Sequence, residues 1–297
     1  MPKLGAESPR IARLRRELVT ALGGDLDPQR HSLGDLIRRY FRHARRLIPT
    51  AKRCVTFVRG FWDGDPVPRH LEKVFAMARL VEDGADLTPY LSSRALRPGE
   101  HPRDVQHDGD FGLAAYDVHH LHFDPIDAAG PRKIRQQDKE DAMLFATFDR
   151  DSAAFIMVGS HKAFHDGTLE AAVVQARADA GHMVLPGLEG ERTLTALQRT
   201  RMGLRGLNTA ADINGRAIIS SMVMCNGSSM RTLRMADFAA RRIADLDPIL
   251  EDRGRTRELL GDRVPDNPVF EWCFDHTRLV LVERTFGTSF DFSDQPR

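Results

Sequence analysis

Between Tyr116 and Phe123 the chain reads Tyr-Asp-Val-His-His-Leu-His-Phe, and from His120 onward imidazole and apolar side chains alternate. A period of two belongs to a β-strand, whose side chains point to opposite faces in turn. We read Gly112 to Phe123 as that strand. Tyr116, Val118, His120 and His122 then share one face, and Asp117, His119, Leu121 and Phe123 the other. Two apolar runs follow, Ala142 to Phe148 and Ala153 to His161, joined by Asp149-Arg150-Asp151-Ser152, the pattern of a hairpin. Five of the chain's twelve histidines fall at 119, 120, 122, 161 and 165. A single histidine on an apolar strand reads as a satisfied core polar group. A cluster is costly to bury without partners and reads as a site.

The rest of the 297 residues supplies scaffolding. Ser8-Pro9 starts a helix whose Ile11, Leu14, Leu18 and Leu22 recur at helical spacing until Gly23-Gly24. Ser32 caps a second helix, with Leu36, Ile37, Tyr40, Phe41, Ala44, Leu47 and Ile48 as its apolar stripe. Its other side carries Arg38, Arg39, Arg42, Arg45 and Arg46. Residues 1–59 hold 14 basic and 5 acidic side chains, a balance of +9, so the remainder of a chain of net charge +1 carries −8. Such a basic head suits a polyanion, or pairs with the acidic body. Further on, Cys54 to Phe61 and Arg216 to Cys225 read as strands, and Pro68 to Glu82, Thr168 to Ala180, Glu189 to Arg205 and Met230 to Leu250 as helices. Val269 to Phe274 and Arg278 to Thr285 read as a closing hairpin.

The expected class is α+β: an N-terminal helical hairpin (1–59), a His-rich domain with a central antiparallel sheet and flanking helices (60–187), and a further α+β part (188–297). No apolar run reaches the roughly 18 residues of a membrane span. The N-terminus lacks the apolar core of a secretory signal, so the chain reads as cytoplasmic. Cys54, Cys225 and Cys273 are scattered, odd in number and outside any CxxC pair, which offers neither a disulfide frame nor a cysteine zinc site.

Two chemistries suit the histidines. Metal-free phosphodiester cleavage needs a base, an acid and cations for the phosphorane. His120 or His122 supplies the base, His161 the acid, and Arg135 or Lys162 the cation, with Arg132 and Lys139 as further phosphate contacts. Arg38, Arg42 and Arg45 would grip the nucleic acid. No cofactor is then expected. Alternatively, His120 and His122 ligate a metal from a strand, with His161 and His165 at i, i+4 and a carboxylate from Asp117 or Asp166. HExxH is lacking. A third reading is a binding module without catalysis.

Asp-Leu-Thr-Pro-Tyr-Leu (86–91), Tyr-Asp-Val-His-His-Leu-His-Phe (116–123), a basic segment, Met-Leu-Phe-Ala (143–146) and a strand ending at His161 follow in that order. This order resembles a group of bacterial proteins with a His-His-Leu-His strand, similar in layout to the RelE/ParE-like toxin superfamily. The resemblance spans about residues 68–180. It implies a RelE-like fold, metal-independent endoribonuclease activity in a toxin–antitoxin or phage-defence role, RNA and an antitoxin-like protein as partners, and His120, His122 and His161 as site residues. Where that pattern has an arginine just before the second strand, this chain has Ala142, and Lys139 or Arg135 is expected to stand in.

Overall fold

The structure is a computed structural model that describes residues 7–23, 26–64, 66–92, 110–125, 142–190, 193–261 and 264–293. It is α+β, and its contacts gather into two units. Met1–Arg45 and Thr232–Arg297, the two ends of the chain, make one, and Arg46–Arg231 makes the other. The divisions expected near 59 and 187 are not the ones observed. The apolar stripe of the N-terminal helices finds its cover in C-terminal residues, so the head is not a domain by itself.

The chain opens with α1 (Pro9–Ala21) and α2 (Leu33–Ala44). Both start where the sequence places a capping serine. Ser8 Oγ accepts from Ile11 N–H at 3.3 Å and Ser32 Oγ from Asp35 N–H at 3.1 Å, each satisfying an otherwise orphaned donor.

The central unit begins with β1 (Cys54–Phe57), followed by α3 (Pro66–Arg69) and α4 (Leu71–Asp83). Then come β2 (His119–His122), β3 (Met143–Phe148) and β4 (Ser152–Gly159), with α5 (Ala163–Asp166) and α6 (Thr168–Asp179) after them. The sheet order is β1-β4-β3-β2. β2–β3 and β3–β4 are antiparallel, but β1 runs parallel to β4, so the sheet is mixed and not antiparallel throughout. A parallel neighbour needs a long crossover, and the chain from 58 to 151 supplies it. One sheet face packs Leu121, Leu144, Ala146 and Phe155 against Val74, Met77 and Val81 of α4. The other packs Met143, Phe145 and Ile156 against Phe164, Leu169 and Val173.

The unit closes with β5 (Val184–Leu185), α7 (Ala196–Gly203), β6 (Ala210–Ile213) and β7 (Arg216–Ile219), whose sheet order is β5-β7-β6. A buried polar knot ties these pieces together. Glu170 accepts from Arg199 Nε and Nη2, at 2.6 and 3.0 Å, and from the Ser220 hydroxyl at 2.6 Å. Arg177, which burial pushes down to about 10, donates to the carbonyls of Ile219, Ser220 and Tyr116.

The unit boundary falls within α8 (Met230–Leu246), which is followed by α9 (Arg253–Leu260), β8 (Phe270–Asp275), β9 (Arg278–Glu283) and β10 (Thr288–Asp291). The expected closing hairpin is β8–β9, and β10 adds a third antiparallel strand. Leu36, Ile37 and Phe41 of α2 are buried together with Ile243, Trp272 and Leu281. Each such side chain contributes roughly 1.5–3 kcal/mol by leaving water. All three cysteines are free. Among the described residues no helix is long and apolar enough to cross a membrane.

Candidate functional site

The strand that carries the histidines is shorter than the sequence suggests. Gly112–Tyr116 forms a buried helical turn, not a strand, and Asp117 reverses the chain at φ 63°. Close packing explains the departure: a Cβ on Gly112 would stand 2.8 Å from the Phe164 ring, so only glycine lets this turn lie against α5. From His119 onward the alternation holds. Leu121 faces one core with Leu144, and His120 and His122 lie in register with Phe145 and Met143.

His161 reaches the pair from another element. β4 ends at Gly159, and the turn into α5 presents His161 beside them. Its ring centre lies 6.2 Å from that of His120 and 5.7 Å from that of His122, and the latter two rings are 5.7 Å apart. One ring nitrogen from each of the three falls within 4.8 Å of the others. His120 and His122 are only 8% and 9% exposed, whereas His161 is open to solvent. Phe164 stands edge-on to His120 at 5.2 Å and closes the apolar side. Gly167 holds this corner: at φ 91° its hydrogen faces α7, where a Cβ would meet the Leu197 nitrogen at 2.5 Å.

Asp110 completes the cluster, and the sequence pattern does not single it out. Its Oδ2 lies 3.4 Å from His120 Nδ1, while its Oδ1 accepts from Leu113 N–H at 3.1 Å and caps the buried turn. Burial alone would push the Asp110 carboxyl up. The neighbouring His120 ring and the Leu113 N–H outweigh it and hold the carboxyl below the usual range. A carboxylate at Nδ1 favours the tautomer whose Nε2 lone pair is available to a proton or a metal. The available signal was Asp110-Phe-Gly-Leu113, an acceptor three residues ahead of the amide it caps.

Other expected site residues fall elsewhere. His165 is exposed on α5 and is not among the three converging imidazoles. Asp166 accepts from Thr168 N–H and Oγ, at 2.9 and 2.6 Å, and Asp117 pairs with Arg231, so neither joins the metal-ligating group. Lys162 is exposed in the turn beside His161. Arg132, Arg135 and Lys139 lie outside the described residues.

The basic face of α2 is only partly solvated. Arg38, Arg39 and Arg42 are part-buried, and Arg45 is only 8% exposed and donates to the Thr232 hydroxyl. Arg38 pairs with Asp35 at 3.1 Å. Arg45 therefore fastens the fold, and its expected grip on nucleic acid is corrected. The polar side of an amphipathic helix can meet other protein as readily as water. Comparison of the chain with protein families, curated proteins and solved structures gives no match.

Proposed function

We propose that His120, His122 and His161 form the centre of a hydrolase that cleaves phosphodiester bonds in RNA with one bound divalent metal. The carrying observation is the approach of three imidazole nitrogens to within 4.8 Å of one another, two of them from a strand and one from a turn. Around a tetrahedral zinc such nitrogens stand roughly 3.4 Å apart. Small ring rotations would close the gap, and the exposed His161 is the ring freest to turn. Three neutral imidazoles leave a coordination position open, the arrangement of catalytic sites. A metal there polarises a phosphate oxygen and acidifies water. Asp110 behind His120 supplies the outer support that fixes a ligand's tautomer.

RNA as substrate is supported by the resemblance of the His-rich strand to bacterial proteins whose layout is similar to the RelE/ParE-like superfamily, and by Arg132, Lys133, Arg135 and Lys139 in the sequence that follows that strand. On this reading the chain acts in the cytosol, in a toxin–antitoxin or phage-defence setting. A second reading rests on the difference in exposure. His120, paired with Asp110 and nearly buried, acts as base, and the exposed His161 acts as acid, with no metal.

Metal analysis of gently purified protein, with RNA cleavage assayed before and after chelation, tests both. We expect about one zinc per chain, cleavage lost in chelator and restored by zinc, and both metal and cleavage lost in His122→Ala. Full cleavage in chelator, abolished by His120→Ala with His161→Ala, transfers the site to the metal-free reading. Uncut RNA in every condition overturns the substrate assignment.

A further inference from the structure

A cavity of about 610 Å³ lies between the ends of β1 and β4 and helix α6. Ligand pockets fall in a range of roughly 300–1,000 Å³. It belongs to the sheet face that bears the histidines, since Met157 on its wall stands in register with Phe145, and Phe145 with His120. Gly159, Ser160 and Ala163 line it, so the turn that presents His161 also borders the cavity.

Its walls have two characters. Val58, Ile156, Ala171 and Ala172 give an apolar slot, and the small side chains on α6 leave room for a flat ring. The mouth carries the exposed Arg59, Asp63 and Asp166. Asp63 folds back toward the loop after Arg59, with its Oδ2 3.6 Å from where a Cβ on Gly60 would lie. Asp166 is fixed as an acceptor by its two bonds from Thr168. A lining with one guanidinium and two carboxylates does not suit a bare phosphate, which the acids would repel. It suits a planar group with paired acceptors on one edge and paired donors on another. Guanine has O6 and N7 for a guanidinium to bridge, and N1–H and N2–H₂ for a carboxylate. Adenine, cytosine and uracil each lack one of these two edges.

We infer that this cavity is a guanine subsite, which seats a nucleotide of the RNA strand beside the histidine centre. The inference rests on the proposed ribonuclease reading for its role, and on the cavity alone for the binding. Arg59 reads the acceptor edge, Asp63 and Asp166 the donor edge, and the ring lies on Ala171 and Ala172.

The test titrates the full chain carrying His122→Ala with the 5′-monophosphates of the four ribonucleosides, by calorimetry. GMP is expected to bind at least about tenfold more tightly than AMP, CMP or UMP. Arg59→Ala is expected to weaken it about tenfold, within the range of a bidentate base contact. Ala171→Trp fills the slot and abolishes binding. If Ala171→Trp does not fold, Asp63→Asn, at an exposed position, replaces it, with a severalfold loss expected for GMP and none for UMP. Equal affinity for all four nucleotides, no saturation at millimolar GMP, or unaltered GMP binding in Arg59→Ala overturns the subsite. GMP binding in a protein that cuts no RNA keeps the subsite and removes the ribonuclease. Cleavage without guanine preference, in a protein that ignores GMP, does the reverse.

Discussion

The unit built from the chain ends and the histidine cluster of the central unit hold their buried polar groups in different ways. In the unit built from the chain ends, each buried acid is closed by neighbours of opposite character. Asp247 takes Arg10 Nε at 2.8 Å and the Trp272 indole N–H at 2.9 Å, and Glu283 takes the amides of Val269, Thr285 and Phe286. Glu271 sits between Arg13 and Arg284. In the central unit, the Glu170–Arg199–Ser220 knot follows the same logic. The histidine cluster does not. There, groups of like chemistry face one another across a gap, with one carboxylate at the back. Complementary closure makes a fastening. Like facing like makes a receptor for a cation, a proton or a metal.

The sharpest break of that comparison comes from the fastening side. Asp247→Ala removes one partner of the Arg10 guanidinium, which keeps Glu251 and the carbonyl of residue 247, and deprives the Trp272 indole N–H of its acceptor, and we expect a loss of about 1–3 kcal/mol in urea-unfolding stability. A change below 1 kcal/mol would show that Asp247 fastens little. On the receptor side, Asp110→Asn is expected to weaken metal affinity by roughly tenfold to a hundredfold while the melting temperature moves little. If melting falls and affinity holds, Asp110 is a fastening too.

Acid distinguishes further. Burial alone would raise the Glu283 carboxyl, but its three backbone amides outweigh this and bring it from 4.5 down to about 2. Asp247 is likewise lowered, with Arg10, Ser8 and Trp272 outweighing its burial. A depressed carboxyl stabilises the fold above its ordinary value, and that contribution disappears as pH falls toward the folded one. Stability is therefore expected to decline between pH 4.5 and about 2, with a shallower slope in Glu283→Gln. An unchanged slope in urea midpoints would remove Glu283 from the account. The smallest effect belongs to Arg38→Ala, about 0.3–0.5 kcal/mol for a half-exposed helical pair, with RNA cleavage unaltered. A severalfold loss of RNA affinity there would return the basic helix to the binding surface.

Local physics was legible in the chain before any fold was known. Ser8 and Ser32 announced their helices, the alternation from His119 to His122 put two imidazoles on one face, and Asp149 to Ser152 marked the turn that lets β4 bring His161 alongside. Long-range matters were not. Nothing in Cys54–Phe57 says that it runs parallel to β4, because pairing direction leaves no mark on one strand's periodicity. Arg45 looked like surface because helical spacing separates apolar from polar without saying what the polar side will meet. Asp110 was hidden by a region rich in proline, glycine and acids, where one functional carboxylate looks like any other.

Because α1 and α2 are finished only by residues beyond Thr232, their greasy side has no cover when they leave the ribosome. At about 5–20 residues per second the wait lasts roughly ten to forty seconds. During that interval Leu36, Ile37 and Phe41 are exposed to chaperones and to other nascent chains. A stop codon anywhere in the central unit would leave them so permanently, marking the truncated product for degradation.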